Sequence, residues 1–195
     1  MNMALDAQHE VSDEALLVAF GNGDRSAAMA LTARLTPLVL GLSVRMLSGD
    51  RGEAEDVAQE AMLRLWKIAP DWRQGEAKVT TWLYRVVQNL CTDRLRKRRS
   101  VDIDAIPEPE DGAPGVAENM QDAARAAALQ EALNDLPERQ RVAVVLRHLE
   151  GRSNPEIAEV LEISVEAVES LTARGKKALA KALAGRREEL GYDDA

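Results

Sequence analysis

Cysteine, proline, glycine and aromatic side chains are all scarce in this chain. Its 195 residues include one Cys, seven Pro, twelve Gly, three Trp, two Tyr and one Phe. Because Cys91 has no second cysteine to pair with, an intramolecular disulfide is excluded. Few helix breakers in a sequence rich in Ala, Leu, Glu and Arg favour helices, and no alternating strand pattern is found. The sequence therefore predicts an all-α fold with a core of Leu, Val, Ala and Met.

The sequence also lacks the patterns that are typical of enzymes and metalloproteins. His9 and His148 are far apart, and the chain has neither a nucleophile–base pair nor a phosphate-binding glycine loop. We therefore expect no catalytic residue, no metal, no cofactor and no small-molecule substrate. Cys91 lies on the apolar face of a predicted helix, where we expect a packed thiol rather than a reactive one.

Signals for export or membrane insertion are missing as well. The acidic N-terminus has no apolar signal-peptide segment, and the longest uncharged stretch, 35–44, is too short to span a bilayer. We expect a cytoplasmic protein without direct membrane insertion.

Charge is distributed unevenly along the chain, whose net charge is −8. Residues 85–99 contain six basic side chains and one acid, and residues 171–187 contain six basic side chains and no acid. Residues 101–122 contain seven acids and no base. Because charges act on a phosphate mainly within a Debye length of about 10 Å, the two basic segments remain candidates for binding nucleic acid.

The composition divides the chain into two small helical domains and a linker. The first domain is predicted at 10–100 and the second at 122–187. Between them, 101–121 is rich in acids, proline and glycine and cannot bury much apolar surface, so we expect a flexible acidic linker. Helices are predicted near 122–134, 138–149, 154–161 and 165–184 in the second domain.

Two amphipathic helices, predicted at 52–68 and 79–99, are the most informative part of the first domain. The second of them has an apolar stripe, a polar face rich in Gln, Asn, Asp and Arg, and a basic end. The stripe comprises Val79, Trp82, Leu83, Val86, Val87, Leu90, Cys91 and Leu95. A helix of this kind can pack on one side and contact nucleic acid on the other.

The second domain contains a helix-turn-helix pattern. Ser153 with Glu156 three residues later predicts a capping box, and a second helix follows a short turn at 162–164. On this pattern alone, a solvated helix pair and a DNA-binding motif are about equally well supported. The basic end that begins at Arg174 favours DNA binding.

Several motifs, taken in order, resemble the sigma factors of RNA polymerase. The segment A-E-D-V-A-Q-E-x-x-L-R-L-W at 54–66 and the segment T-W-L-Y-R-x-x-x-N-x-x-x-D-R-L-R at 81–96 resemble sigma region 2. The segments L-P-E-R-Q-R at 136–141 and E-I-A-E-V-L-x-I-S-x-x-A-V-E-S-L at 156–171 resemble region 4. The short bipartite layout resembles the extracytoplasmic-function (ECF) type of the sigma-70 family.

The resemblance implies partners for both domains. Region 2 of the family binds the β′ clamp helices of the polymerase core, which assigns this role to Asp56, Gln59 and Glu60. Charge alone would favour a solvated acidic face at these positions. The resemblance also implies contact with the β flap, promoter DNA and an anti-sigma factor, in the cytoplasm of a bacterium.

The resemblance further implies two DNA-reading surfaces. Residues assigned to the −10 element are Trp72, Arg73, Arg85, Gln88, Asn89, Asp93, Arg96 and Lys97. Residues assigned to the −35 element are Glu169, Ser170, Ala173, Arg174 and Lys177. Two alternatives remain open for the aromatic residues: Trp72 either stacks on an unpaired base or fills the core, and core packing is favoured over strand opening for Trp82.

The function implied is that of an ECF-type sigma factor that binds core polymerase, recognises both promoter elements and promotes strand opening. Two other hypotheses are a stand-alone helix-turn-helix regulator and a helical adaptor without a DNA role. The regulator leaves the first domain unexplained, and the adaptor leaves the two basic segments unexplained.

Overall fold

The computed structural model describes residues 11–75, 77–101, 117–184 and 186, and every regular element in these ranges is helical. The N-terminal module contains α1 (Asp13–Gly21), α2 (Arg25–Met46), α3 (Arg51–Ile68) and α4 (Val79–Val101), with a 3-10 turn at Ala69–Asp71. The C-terminal module contains α5 (Ala117–Asn134), α6 (Glu138–Val144), α7 (Asn154–Leu161) and α8 (Val165–Ala184), with a π-helical turn at Val145–Leu149. The predicted all-α fold is confirmed.

Short polar side chains mark the starts of the helices in the N-terminal module. Ser12 at α1, Asp24 at α2 and Asp50 at α3 each accept a hydrogen bond from a backbone N–H in the first turn of the helix that follows. The first N–H groups of a helix have no partner within it, so these side chains satisfy donors that would otherwise need water. These local side chains therefore mark where α1, α2 and α3 begin.

The N-terminal module packs its helices through apolar stripes at helical spacing. The stripe of α2 comprises Leu31, Leu35, Val39, Leu42 and Met46, all buried. The stripe of α3 comprises Ala54, Val57, Ala58, Ala61, Met62 and Leu65, also buried. α4 adds Val79, Leu83, Val87 and Cys91 to the same core. Burial of this apolar area supplies the main stabilisation of the module.

α2 is the one helix of the described ranges that is long and apolar enough, by length and composition alone, to cross a membrane. Core helices of soluble proteins meet the same criterion. The stripe of α2 packs against α3 and α4 within the hydrophobic core. We therefore assign α2 to the core of the module.

The C-terminal module is built around the segment from Val142 to Leu146, whose five residues are all buried. α8 packs against α6 and α7, and α5 packs against α8. The capping box predicted at the start of α7 is present: the Ser153 hydroxyl accepts from the Glu156 N–H at 3.4 Å, and the Glu156 carboxylate accepts from the Ser153 N–H at 2.9 Å. Glu162 ends α7 in the left-handed conformation, with φ of 53°, and so turns the chain toward α8.

The two modules pack against each other, mainly through α4 and α7 and through α2 and α6. The Arg141 guanidinium crosses this contact and donates to the backbone carbonyl of Met46 at 3.1 Å and to that of Asn134 at 2.9 Å. Arg141 is 8% exposed, so its charge is held by carbonyl groups from both modules.

The predicted start of the first helix of the second domain needs correction, and most of the predicted linker lies outside the described residues. α5 begins at Ala117 rather than near 122, so the C-terminal end of the predicted linker is helical. Ala117 and Glu118 are good helix formers, and the last breakers, Pro114 and Gly115, precede them. The remainder of the predicted linker, 102–116, lies outside the described residues.

Candidate nucleic-acid interface

The outward face of α4 carries the polar residues that the sequence assigns to the −10 element. Arg85, Asn89, Asp93, Arg96 and Lys97 are exposed, and Gln88 is half-buried. Arg96 Nη2 lies 2.9 Å from Asp93 Oδ1, an ion pair one turn apart. The Gln88 amide donates to the Thr92 hydroxyl at 3.1 Å. This face offers amide groups suited to base edges and cations suited to phosphates.

The loop before α4 presents one charged and one aromatic residue. Arg73 is exposed. Trp72 packs against the core, and its ring meets that of Trp82 edge-on, with centroids 6.4 Å apart. The indole Nε1 of Trp72 is buried and has no hydrogen-bond partner among the described residues. Both tryptophans therefore contribute packing at the base of this loop, between the core and the surface.

The second candidate DNA surface lies on α8. Glu169, Ser170, Ala173, Arg174 and Lys177 are all exposed. They share one face because their spacing of one, three and four residues follows the helical period. The Arg174 guanidinium donates to the carbonyl of Ser170 at 3.2 Å. The Ser164 hydroxyl accepts from the N–H of Ala167 at 3.2 Å and caps the start of this helix.

A third surface lies between α3 and α4, where the family resemblance implies contacts with a protein. Asp56 and Gln59 are exposed and Glu60 is half-buried. Asp56 Oδ2 lies 3.7 Å from Arg94 Nη1, and Glu60 pairs with Arg64 at 2.8 Å. An apolar side chain, Leu63, is 56% exposed in the same groove. Leu63 therefore adds an exposed apolar side chain to a groove that is otherwise lined mostly by charged and polar groups.

One arginine of the basic end of α4 serves the fold. Arg98 donates to Asp50, the residue that caps α3, and to Glu53 Oε1 at 3.2 Å. Side chains of this pair are about a third exposed, Arg98 36% and Glu53 31%. The guanidinium therefore fastens the end of α4 to the start of α3.

Sequence reasoning missed the residues that connect the two modules across this face. Arg85 Nη1 lies 2.8 Å from Glu162 Oε1, and Lys78 Nζ lies 2.7 Å from Glu156 Oε1. Tyr84, whose side chain is buried, donates its hydroxyl to Glu150 at 3.1 Å. No periodicity could reveal these contacts, because the partners belong to different helices and are 66 to 78 residues apart.

The pKa values of two side chains that can carry chemistry, Cys91 and His148, are shifted by their surroundings. Cys91 is fully buried, and burial raises the pKa of its thiol to about 12, which keeps it protonated and unreactive. Burial, together with Lys176 and Arg147, lowers the pKa of His148. Within the described ranges, no group of His, Cys, Asp and Glu has the arrangement of a metal site.

Family comparisons agree with this geometry. The family model described as Sigma-70 region 2 matches residues 31–101, which include α3, α4 and the loop between them. The model described as Sigma-70, region 4 matches residues 126–179, which include the helix-turn-helix. The two matches occur in the order that the sequence motifs predict.

Individual relatives match across both modules. The ECF RNA polymerase sigma factor SigM of Mycobacterium tuberculosis (strain H37Rv) is 36% identical over 176 residues, which cover 90% of this chain and 87% of SigM. The ECF RNA polymerase sigma factor SigE of Mycolicibacterium smegmatis is 35% identical over 142 residues, which cover 71% of this chain and 54% of SigE. This chain therefore spans about half the length of SigE and nearly all of SigM.

A solved structure has the same fold. CnrH, determined in complex with the cytosolic domain of CnrY, superposes with a TM-score of 0.66 at 26% identity over 89% of this chain and 97% of CnrH. The helical modules, the ordered family matches and the identity with SigM over nearly its whole length lead to one assignment. The chain belongs to the ECF family of RNA polymerase sigma factors.

Proposed function

We propose that the chain binds core RNA polymerase, places α8 on the −35 element, holds the opened −10 strand on α4, and so promotes transcription initiation. The observation that carries the proposal is the pairing of two exposed polar faces, on α4 and on α8, with ordered matches to Sigma-70 regions 2 and 4. A DNA-binding face on one helix would not by itself explain why the chain contains the other module, so the proposal depends on both faces together.

The −35 element is assigned to the exposed face of α8. Arg174 and Lys177 supply cations for phosphates, and Ser170 supplies a hydroxyl for a base edge or a phosphate oxygen. Ala173 is small enough to let the helix approach the floor of the major groove. Glu169, which lies 3.5 Å from the Asn154 amide through its Oε1, can accept from the amino group of a cytosine.

The −10 element is assigned to α4 and to the loop that precedes it. Gln88 and Asn89 carry amides that can pair with base edges, and Arg73, Arg96 and Lys97 suit the backbone of an opened strand. Trp72 packs against the core and is partly exposed, so it can serve both as packing for the loop and as a base-sized surface beside it.

Polymerase binding is assigned to the groove between α3 and α4. Asp56, Gln59 and Glu60 line it together with the exposed Leu63. An apolar centre with a polar rim is the usual composition of a protein interface. We assign this groove to the β′ clamp helices and the C-terminal module to the β flap. The two functional domains are 10–100 and 122–187, and they are joined through 101–121, whose last five residues form the start of α5.

We further propose that the chain works in the cytoplasm, performs no covalent chemistry, and is held inactive by an anti-sigma factor. CnrH, a solved structure with the same fold, was determined with a second protein, the cytosolic domain of CnrY, in complex with it. A partner of that kind would compete with polymerase for the groove at Asp56 and Leu63.

The test is transcription in vitro with sigma-free core polymerase and a set of candidate genomic promoters. We expect promoter-specific transcripts only when the protein is added. A protein that binds duplex DNA but never starts transcription would instead be a stand-alone helix-turn-helix regulator. A protein that neither binds DNA nor starts transcription would be a helical adaptor, and the proposal would fail.

A further inference from the structure

α1 is a short helix at the start of the N-terminal module, and it carries none of the residues assigned to DNA or to polymerase. It also precedes the segment that matches Sigma-70 region 2. Besides α2, it packs against the 3-10 turn at Ala69–Asp71 and against α4. These two elements flank the loop that carries Trp72 and Arg73, described at 72–75 and 77–78 and called here the −10 loop.

The first end of the −10 loop lies in close backbone contact with α1. Gly21, the last residue of α1, packs so tightly on the 3-10 turn that a Cβ there would lie 2.5 Å from the carbonyl oxygen of Ala69 and 3.2 Å from the Cα of Pro70. The Ala69 carbonyl in turn accepts from the N–H of Trp72 at 3.2 Å. Because backbone atoms cannot rotate aside as a flexible side chain can, Gly21 sets where the −10 loop begins.

The other end of the −10 loop is held by a side chain of α1. The Glu14 carboxylate accepts a hydrogen bond from the backbone N–H of Val79, the first residue of α4, at 3.0 Å. The first N–H groups of a helix have no partner within it, so Glu14 caps α4 from a different helix. Val79 is fully buried, and loss of the acceptor would leave its N–H poorly solvated.

The two contacts come from one face of α1. Glu14 and Gly21 are seven residues apart, which is two helical turns and a rise of roughly 10 Å. Leu17 lies between them on the same face and is fully buried. One helix of nine residues therefore joins the two ends of the −10 loop and sets the distance between them.

α1 is itself held by the two helices behind it. The Arg34 guanidinium of α2 donates to the carbonyl of Val11, just before α1, at 2.7 Å. The Phe20 ring of α1 meets the Trp66 ring of α3 edge-on, with centroids 4.9 Å apart. The position of α1, and with it that of the −10 loop, is therefore tied to the core of the module.

We propose that α1 positions the −10 loop for base capture, with Glu14 and Gly21 as positioning residues that act through the loop without touching DNA. The inference rests on the assignment of this loop to the −10 element in the proposed function. A site that selects one base must be held in place closely, because a displacement of about 1 Å is costly for recognition.

The contribution of Glu14 is its hydrogen bond rather than its charge. A carboxylate repels the phosphates of a nearby strand, so charge at this position would oppose DNA binding. Glu14→Gln keeps a carbonyl oxygen that can accept from Val79 and loses the charge, whereas Glu14→Ala loses both. Asp13→Ala is the matched control, because it removes the neighbouring acid of the same helix, whose partner is Arg34 at 3.3 Å.

The first measurement is hydrogen exchange of backbone amides, followed by NMR on the full chain alone. Glu14→Ala should make the Val79 amide exchange about five- to ten-fold faster. In Glu14→Gln and Asp13→Ala, exchange of this amide should stay within about two-fold of the wild type. An unchanged Val79 amide in Glu14→Ala would overturn the inference.

The second measurement is base selection by the full chain bound to core polymerase, with core polymerase alone as background. The probe is a random-sequence pool of single-stranded DNA of about 20 nucleotides, and the bound strands are sequenced. Glu14→Ala should lower the strongest base preference of the wild type about five-fold. Glu14→Gln should restore that preference, which a general loss of stability or a charge effect would not produce.

Gly21→Ala tests the other end of the −10 loop. Because its Cβ would collide with the Ala69 carbonyl, the start of the loop must shift, and the base preference should fall about five-fold as well. Gly52→Ala is the control, since it adds the same methyl group where only an Asp50 oxygen lies within 4 Å. Affinity for a −35 duplex should be unchanged in every variant, which checks that the chain remains folded.

The outcomes separate this inference from the proposed function. If the wild type adds no base preference to core polymerase, the assignment of the loop to the −10 element fails, and the inference falls with it. If the wild type selects a base and Glu14→Ala and Gly21→Ala select it equally well, only the inference is overturned. Hydrogen exchange needs neither DNA nor polymerase, so its result is independent of the transcription assay.

Discussion

The Nζ atom of Lys78 lies 2.7 Å from one carboxylate oxygen of Glu156, and the other oxygen caps α7. That second oxygen accepts from the Ser153 N–H at 2.9 Å and from the Ser153 hydroxyl at 2.7 Å. One carboxylate therefore holds the first helix of the helix-turn-helix in shape and ties it to the N-terminal module. The hydrogen bond from Lys78, followed by those from Ser153, lowers the pKa of Glu156 from its ordinary 4.5 to about 2.

We predict that Glu156→Gln weakens the fold and removes part of its acid sensitivity. Because the folded-state pKa is lowered, the ionised carboxylate stabilises the fold above about pH 4.5, and this contribution is lost as the pH falls toward about 2. The variant should lose about 1 kcal/mol at pH 7. Its stability should also fall less steeply between those two pH values, as measured by urea unfolding.

The control is Glu159→Gln, which removes an exposed acid from the same helix. Its free energy of unfolding should follow the wild type within a few tenths of a kcal/mol at every pH. If Glu156→Gln and wild type gave parallel curves, Glu156 would not be the titrating group.

Gly175 of α8 is a position where helix packing leaves no room for a side chain. A Cβ placed there would lie 2.5 Å from Val144 Cγ2 and 3.3 Å from the Gln140 carbonyl oxygen. We predict that Gly175→Ala destabilises the C-terminal module by about 1–3 kcal/mol, although alanine is the better helix former. Gly52→Ala is the control, since its Cβ would meet only an Asp50 oxygen at 3.7 Å, and it should not lower the urea midpoint.

Local signals predict the helices of the C-terminal half almost to the residue. The predicted helices at 154–161 and 165–184 coincide with α7 and α8. Ser153 and Glu156 mark one start and Ser164 the other, and these caps act within four residues, where sequence and structure are directly connected. The predicted start of α5 is five residues too late, because the prediction extended the linker to the end of the acidic segment, whereas the helix already begins after the last breakers, Pro114 and Gly115.

Contacts between the modules could not be predicted in this way. Helical period shows which face of α4 is apolar, but it does not show what covers the polar face. Tyr84 illustrates the gap: its ring is buried and its hydroxyl reaches Glu150, a residue of the other module. Arg98 lies in a segment whose charge suits phosphate, yet it donates to Asp50 and Glu53. This contact could not be predicted, because nothing in the sequence shows that the end of α4 lies beside the start of α3.

Arg174 is predicted to supply a phosphate contact on the −35 duplex. Arg174→Ala should weaken binding to a −35 duplex by about 1–3 kcal/mol and reduce the slope of log affinity against log salt by about one ion. Affinity is measured by fluorescence anisotropy at several salt concentrations. Arg51→Ala removes an equal charge from the exposed surface of the other module; a similar loss in both variants would point to net charge rather than to a contact.

Asp56 is predicted to contribute to polymerase binding and not to DNA binding. It is 68% exposed at its side chain and lies at the edge of the groove that contains Leu63, with only a long 3.7 Å pairing to Arg94. Asp56→Arg reverses its charge at a surface we assign to the β′ clamp helices. We expect core polymerase to bind the variant about ten-fold more weakly, which corresponds to about 1.4 kcal/mol, with unchanged affinity for a −35 duplex.

The matched control for Asp56 is its neighbour Glu55, which points along α3 to pair with Arg51 at 3.2 Å. Glu55→Arg makes the same change of charge one residue away, so general repulsion from polymerase would weaken both variants equally. A loss confined to Asp56→Arg would mean that the groove, rather than the total charge of α3, makes the contact. Equal losses, or a loss of −35 binding with Asp56→Arg, would remove Asp56 from the polymerase-binding surface.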